Sequence, residues 1–586
     1  MKEEWKIHAK RADFKALSEK YNIDQVAARV MVNRGIEECD MEHFLNPGLK
    51  YLNDPHMLKG AMEAANLLKN AIEEEKRIRV IGDYDIDGVT STYILVSALK
   101  KCGADVDFAI PHRIEDGYGM NVSMVEKACI EGVEFIITCD NGIAARDAVQ
   151  FAKDSGMSVV VTDHHEIPYE MVNEKKEYIL PNADVIVNPH QEECNYPFKE
   201  ICGAVVAWKL VFILYEVFGM DKEAAFEFLD AAAFATIGDV MPLINENRDI
   251  VKCGLEAISK TKNNGLKALI AATNTAPDKI TSYQIGFILG PCINASGRLE
   301  TARMAVDLLL ENDVKRAAEM ASKLVEINAE RKAMTLEGTE EAMQLIAEQK
   351  LDEDKVLVLY MPKLHESLAG IVAGRVKETF YKPTFVLTDT EDGVKGSGRS
   401  IEAYSMFEEL TKVKDILTKF GGHPMAAGVS MNKEDVEEFR RRLNDNASLT
   451  GDDLTKKVMI DVKMPLSYVS EKLITDLECL EPFGMKNEKP VFAEANVPIK
   501  RISYIGKDKK FLKLRLDSGN GREIDALYFG DADSFKECFT NKYSEEEWEN
   551  IVFGRGSNAT MSFLYYPSIN EFDGRINLQV IIQGFM

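Results

Sequence analysis

At 586 residues the chain is too long for one hydrophobic core, and roughly two to four domains are expected. Apolar content of 46% and charged content of 28% are those of a soluble globular protein; no apolar run reaches 18 residues, which excludes a transmembrane helix, and the charged start "MKEEWKIHAKRADF" lacks a signal core, so the cytoplasm is the expected compartment. Ten cysteines without CxxC spacing point to reduced thiols rather than a disulfide framework or zinc ribbon, and a net charge of −25 argues against nucleic acid on bulk charge alone, although it does not fix the local field.

Residues 1–75 read as a helical segment: "NIDQVAARVMVNRGI" and "AMEAANLLKNAIEEEKR" carry apolar residues at helical spacing. From 76 to 250 short β-rich runs, "RIRVIGD", "DVDFAI", "EFIITCD", "SVVVTD" and "DVIVNP", alternate with helical stretches such as "TSTYILVSALKKCG". That alternation predicts an α/β domain built on a mostly parallel sheet. Residues 251–350 read as a helical connector. A mixed α/β segment over 351–448 follows, with "KVLVLYM", "PTFVLTD", "VKGSGRS" and "AAGVSM" as strands. Past the polar "NDNASLTGDD", residues 455–586 hold many short strands with polar turns, which predicts a small β-barrel, an OB-fold first among the choices.

Acidic and histidine residues gather where the predicted strands end. "GDYDIDG" supplies Asp83, Asp85 and Asp87; "TCDNG" supplies Asp140; "TDHHE" supplies Asp163, His164 and His165; "TIGDVMPL" adds Asp239 after a helical run. Each alone reads as a helix cap or turn former. The first also hints at a calcium loop but lacks the glutamate an EF-hand places after the glycine. In open α/β sheets, however, ligands bind beyond the carboxyl ends of the strands, so these motifs converge on one edge. Carboxylates crowded there repel, and divalent cations resolve the repulsion. Oxygen-rich ligation with a histidine favours Mn²⁺ or Mg²⁺ over zinc. Two such ions suit in-line phosphoryl displacement. The second histidine then orients a ligand, contacts phosphate or delivers a proton.

Further along, "LTKFGGHPMAAGVS" places Gly421 and Gly422 before His423, where backbone amides can approach an anion. Arg298 in "INASGRLE", Arg375 in "ESLAGIVAGRVKE" and Arg399 in "GSGRS" are candidate phosphate contacts. In the terminal barrel "KRISYIGKDKKFLKLRL" concentrates Lys507, Lys509, Lys510 and Lys513 with Tyr504 and Phe511, a pattern suited to single-stranded nucleic acid.

Taken with "NPHQEECNYPFKEICGAVVAWKL" and "LEPFGMKNEKPVF", these motifs resemble the DHH phosphoesterase superfamily, and within it the RecJ single-strand DNA exonucleases, over most of the chain. The resemblance implies a DHH domain over 76–250, a helical connector, a DHHA1 domain over 351–448 and an OB-fold over 455–586. It implies 5′-to-3′ hydrolysis of single-stranded DNA to mononucleotides with two Mn²⁺ or Mg²⁺ ions, in recombination and repair. By position, Asp85, Asp87, Asp140, His164 and Asp239 are implied metal ligands, with Asp140 as the bridge and Asp83 a ligand or near one. His165 is implied near the scissile phosphate and His423 in contact with substrate. A helicase and a single-strand binding protein are candidate partners. Phe511 stands where relatives often carry histidine. A DHH hydrolase of short oligonucleotides or cyclic dinucleotides, and a non-catalytic nucleic-acid scaffold of DHH descent, are the alternatives.

Overall fold

A computed structural model describes residues 3–172, 175–519, 521–572 and 575–586, which fall into two compact units. The first comprises residues 47–455 and 484–486; the second comprises residues 3–46, 456–483 and those described in 487–586.

The first unit begins with a parallel sheet in the order Val106–Ala109, Ile78–Ile81, Phe135–Cys139, Ser158–Thr162, Val185–Val187. Strands of such a sheet are covered on both faces, which is why "IRVI" and "FIITC" are apolar at nearly every position and fully buried. Alternation sends Ile78, Val80, Phe135 and Ile137 into a core with the helices Ala61–Glu73, Ile86–Lys101 and Gly203–Val217. Ile81, Ile136, Val159 and Val161 face the opposite core, under Val122–Ile130 and Arg146–Asp154. The strand order reverses between Ile78–Ile81 and its neighbour Phe135–Cys139, a topological switch point that opens a crevice at their carboxyl ends.

Helices continue to Val314–Gln349, a single helix of 36 residues capped by Asp313. It leads into a five-stranded mixed sheet in the order Lys419–His423, Ala426–Met431, Gly393–Arg399, Thr384–Thr390, Leu357–Tyr360. Only the last pair is parallel.

In the second unit the strands Phe492–Ile505, Phe511–Gly519, Arg522–Tyr528, Arg575–Phe585 and Thr560–Phe572 pair in that order, and the last pairs back on the first. The sheet closes into an OB-type barrel around Ile499, Leu514, Ala526, Met561 and Val580.

The structure divides the 1–75 segment that the sequence presents as helical throughout. Residues 3–46 belong with the barrel, and Glu3–Ile7 is a strand, parallel to Lys456–Ile460. Its "EEWKI" is too short for a helical period, and its backbone partner lies some 450 positions away, beyond any local signal. A short exposed hairpin, Tyr169–Val172 with Lys175–Tyr178, also escapes sequence reading.

Candidate metal centre and substrate cleft

Each acidic motif arrives at the crevice by a definable local route. Asp83 follows Ile78–Ile81 and is wholly buried; its Oδ1 accepts from the Gly119 amide at 3.3 Å and its Oδ2 has no hydrogen bond. Asp85 caps the helix Ile86–Lys101, accepting from the amides of Asp87 and Gly88. Asp87, in the first turn, accepts from the amides of Gly203 (2.6 Å) and Ala204 (2.7 Å), where the helix Gly203–Val217 starts. A helix N-terminus thus orients this carboxylate. Asp140 ends Phe135–Cys139 in the left-handed region, φ 61°. A methyl group at Gly203 would stand 2.7 Å from Asp140 Cβ, so that glycine is a requirement of close approach.

The histidine pair divides as adjacent residues beyond a strand can. His164 Nε2 lies 3.1 Å from Asp140 Oδ1, 3.5 Å from Asp87 Oδ2 and 3.9 Å from Asp239 Oδ2. The first approach lacks hydrogen-bond geometry, and Asp140 Oδ1 is left without a hydrogen bond. Burial lowers the His164 pKa against the pull of Asp87, favouring the neutral imidazole that a metal needs. His165 turns to Asp163, Nδ1 to Oδ1 at 2.7 Å, and its ring lies against the Tyr118 hydroxyl. Burial works to lower its pKa, but the bond to Asp163 overrides this and lifts it to about 9. Asp163 also accepts from the amides of Ile143, His164 and His165, so this buried carboxylate sets the whole turn.

Ligand-type atoms fall into compact groups: Asp83, Asp85 and Asp140; Asp87, His164 and Asp239; Asp140, His164 and His165. Within each group they lie within 4.8 Å of one another. Burial and then mutual repulsion hold Asp83, Asp140 and Asp239 well above the usual carboxylate range. Crowded buried carboxylates, a neutral imidazole and an unpartnered Asp140 oxygen fit divalent cations. The ligand chemistry, mostly oxygen with imidazole, fits Mn²⁺ or Mg²⁺.

Beside this centre stands a group of arginines. Arg113 lies 4.6 Å from the ring centre of Tyr84, between Asp83 and Asp85 in sequence. Arg298, partly buried at the end of the helix Gly290–Leu299, donates to the Ser367 carbonyl. Burial and then Arg113, Arg331 and Arg399 push its pKa down; Arg331 is lowered by burial and by Arg375. Among the described residues none of these arginines forms an ion pair with a carboxylate. A set of under-compensated guanidinium groups is what a phosphate chain would neutralise.

The "INASGRL" motif explains how this group meets the metal centre. Asn294 Oδ1 accepts from the Ile86 amide at 2.8 Å, and Gly297 lets its helix press on the Tyr84 carbonyl. Gly421 lines a cleft of about 420 Å³ with Arg113, Ser367, Lys395, Lys419 and Gly428. Gly421, Gly422 and His423 all belong to the strand Lys419–His423. Gly422 at φ 143° lets it pass close to Ala427. His423 is exposed at the strand end and does not line that cleft.

The basic hairpin of the barrel looks different in three dimensions. Lys513 pairs with Asp525 at 2.8 Å, Arg515 with the same aspartate at 3.0 Å, and Lys500 with Asp517 at 3.0 Å. Lys507, Lys509 and Lys510 stand at the tip, and Phe511 packs edge-on against Phe529. Sequence reading also passed over Tyr118, Arg113, Arg331 and the Gly203–Ala204 amides. Only "CGAVVAWKL", a small-residue helix start, carried any signal for them.

The domain models agree with this architecture. Residues 77–236 match the DHH family, N-terminal domain; 353–448 match the DHHA1 domain; and 460–584 match the RecJ OB domain. The chain is 36% identical to the single-stranded-DNA-specific exonuclease RecJ of Bacillus subtilis, over 99% of this chain and 70% of that protein. It is 30% identical to the Dickeya dadantii protein of the same name, over 95% of each. The crystal structure of Thermus thermophilus RecJ in complex with Mn²⁺ superposes with a TM-score of 0.82 at 28% identity, covering 100% of this chain and 80% of that one. Its Mg²⁺ complex superposes with a TM-score of 0.74 at 27% identity, covering 100% and 78%. With these matches spanning the parallel sheet, the second sheet and the barrel, the chain belongs to the RecJ family of DHH phosphoesterases.

Proposed function

We propose that this protein is a single-stranded-DNA-specific 5′-to-3′ exonuclease that releases mononucleotides by two-metal phosphodiester hydrolysis in DNA recombination and repair. The observation that carries the reading is Asp140, common to two ligand groups and lodged beside an uncompensated arginine set. Mn²⁺ or Mg²⁺ bound there supplies an activated water and neutralises charge developing on the phosphate.

The chain's own residues do the rest. Asp85, Asp87, Asp140, His164 and Asp239 hold the cations, with Asp83 adjoining. Gly203 and Ala204 fix Asp87, and Asp163 fixes the turn carrying both histidines. His165, its Nδ1 tied to Asp163, keeps a ring proton near the phosphate for the departing oxygen. Arg298, Arg375 and Arg399 take phosphate oxygens, and His423 reaches substrate from the second sheet. The full ligand set speaks against a non-catalytic scaffold, and an OB barrel against a substrate of one or two nucleotides.

None of the ten cysteines is in a disulfide, as suits the reducing cytoplasm, the compartment we assign; no helix among the described residues is long and apolar enough to cross a membrane. A helicase and a single-strand binding protein are the partners that would supply its substrate. The test is product analysis on a 5′-phosphorylated single strand with Mn²⁺. Mononucleotides appearing from the 5′ end support the reading; faster hydrolysis of dinucleotides than of long strands would replace it with the short-substrate alternative.

A further inference from the structure

In the barrel's predicted nucleic-acid face Lys500, Lys513 and Arg515 pair with carboxylates while Lys507, Lys509 and Lys510 at the tip do not, and the second unit carries another basic surface. A groove of about 800 Å³ runs between the N-terminal segment and the start of the barrel domain. His8, Lys10, Arg11, Arg29 and Lys463 line it. Among the described residues none of them is in an ion pair, and all but the partly buried His8 are exposed. The acid in the lining, Asp461, is already occupied. Arg34 takes both its oxygens at 2.9 and 3.0 Å, and the Val491 amide shares one of them. In a chain of net charge −25, a groove lined with unpaired cations is a local inversion of the field.

The groove is also rigid and partly aromatic. Glu3–Ile7 pairs with Lys456–Ile460, and Asn33 Nδ2 donates to the Asp461 carbonyl at 2.7 Å, so the N-terminal wall is fastened to the barrel side. Arg29 stacks 4.1 Å from the ring centre of Phe14, and Tyr468 stands on the opposite wall, donating to Asp24. Cations that track a backbone, with rings within reach of bases, are the combination that binds single strands irrespective of sequence.

We propose that this groove is a second single-stranded DNA site, built by the N-terminal segment onto the barrel domain, and that it holds the strand by its phosphates. Residues 3–46 lie outside all the matched domain models, so nothing in those matches assigns them a task. The proposal rests on the exonuclease reading for the identity of the strand. It adds Lys10, Arg11 and Lys463 as an accessory binding surface apart from the barrel hairpin.

The experiment is equilibrium binding of a fluorescent oligothymidylate of about 20 nucleotides, enough to exceed one OB-fold site, to the full chain in EDTA across a salt series. The triple variant Lys10→Gln, Arg11→Gln, Lys463→Gln is compared with wild type and with Lys500→Gln; melting curves check that each variant is folded. Three lost phosphate contacts should weaken binding at least tenfold and make the log K against log salt slope shallower by about 2, at ~0.7 per contact on single strands. Lys500→Gln should change affinity less than about twofold, as a paired surface charge does. Wild-type affinity and slope in the triple variant, with wild type binding the strand normally, overturns the groove and leaves the exonuclease reading intact. Binding of oligoglutamate in preference to the oligonucleotide also overturns it, and assigns the groove to an acidic protein. If wild type neither binds nor cuts any single strand, the exonuclease reading falls and the groove falls with it.

Discussion

Asp140 is where removing one charge should separate metal binding from stability. Its Oδ1 is buried without a hydrogen bond, and burial followed by Asp87, Asp85, Asp239 and Asp83 pushes its carboxyl well up. A buried polar group left unsatisfied costs about 1–3 kcal/mol. Asp140→Asn keeps the shape and deletes the charge. In EDTA the variant should therefore be no less stable than wild type, and more stable by about 1–2 kcal/mol if relief of repulsion dominates. Mn²⁺ reverses the order. An ion at ~100 times its dissociation constant adds about 2.7 kcal/mol to wild type, and the variant forfeits this. At ~2–4 °C per kcal/mol for domains of ~150–250 residues, and somewhat less for a larger unit, wild type should gain about 4 °C or more on adding Mn²⁺. The variant should gain about 1 °C or less. Differential scanning fluorimetry in EDTA and in Mn²⁺ reads both arms. A variant several degrees less stable than wild type in EDTA that keeps the full Mn²⁺ shift would show Asp140 to be a structural residue and not a metal ligand.

Other consequences are equally concrete. Gly203→Ala puts a methyl against Asp140 and shifts the amides that hold Asp87; Mn²⁺ affinity, followed by electron paramagnetic resonance, should fall about 10–100-fold, as for lost outer-shell partners. Arg298→Ala should lower kcat/KM on a single strand about 10–100-fold, the range of a lost charged hydrogen bond of ~1.5–3 kcal/mol, and Arg298→Lys should recover little because the planar fork is gone. Lys209, buried against Glu246 at 2.5 Å in a network with Tyr196 and Asn53, supports the fold behind the site; Lys209→Met should cost about 3–5 kcal/mol in urea unfolding by stranding the glutamate. Burial works to raise the Asp107 pKa, but Arg79 and Arg77 hold it below the usual range. Its stabilising contribution is complete above about pH 4 and is lost as pH falls through the depressed value. Asp107→Asn should therefore flatten the acid limb of Tm against pH, and an unchanged limb would contradict the assignment.

Much of the candidate metal centre was legible because each acidic or histidine motif is local. Asp83, Asp140 and His164 stand just past apolar strands, and Asp239 ends the helix Leu229–Gly238, so period and punctuation place them. What stayed hidden is non-local. The Gly203 amide that orients Asp87 lies 116 positions away, and the Tyr118 hydroxyl meets the Asp140 carbonyl only after a loop folds back. A sheet also interleaves signs that the chain keeps apart: Lys513 and Asp525 sit in separate runs of sequence but on adjacent strands, where they pair, while Lys507, Lys509 and Lys510 stay at the tip. The N-terminal strand was invisible for the same reason, since its "EEWKI" acquires meaning only beside Lys456–Ile460.

Anomalous diffraction from Mn²⁺-soaked crystals of the active enzyme would locate the cations of a two-cation centre organised by Asp140. Two manganese peaks about 3.5–4 Å apart are expected, both in contact with the Asp140 carboxylate and one of them also with His164. A single peak remote from Asp140, in enzyme that still degrades single strands, would contradict that arrangement.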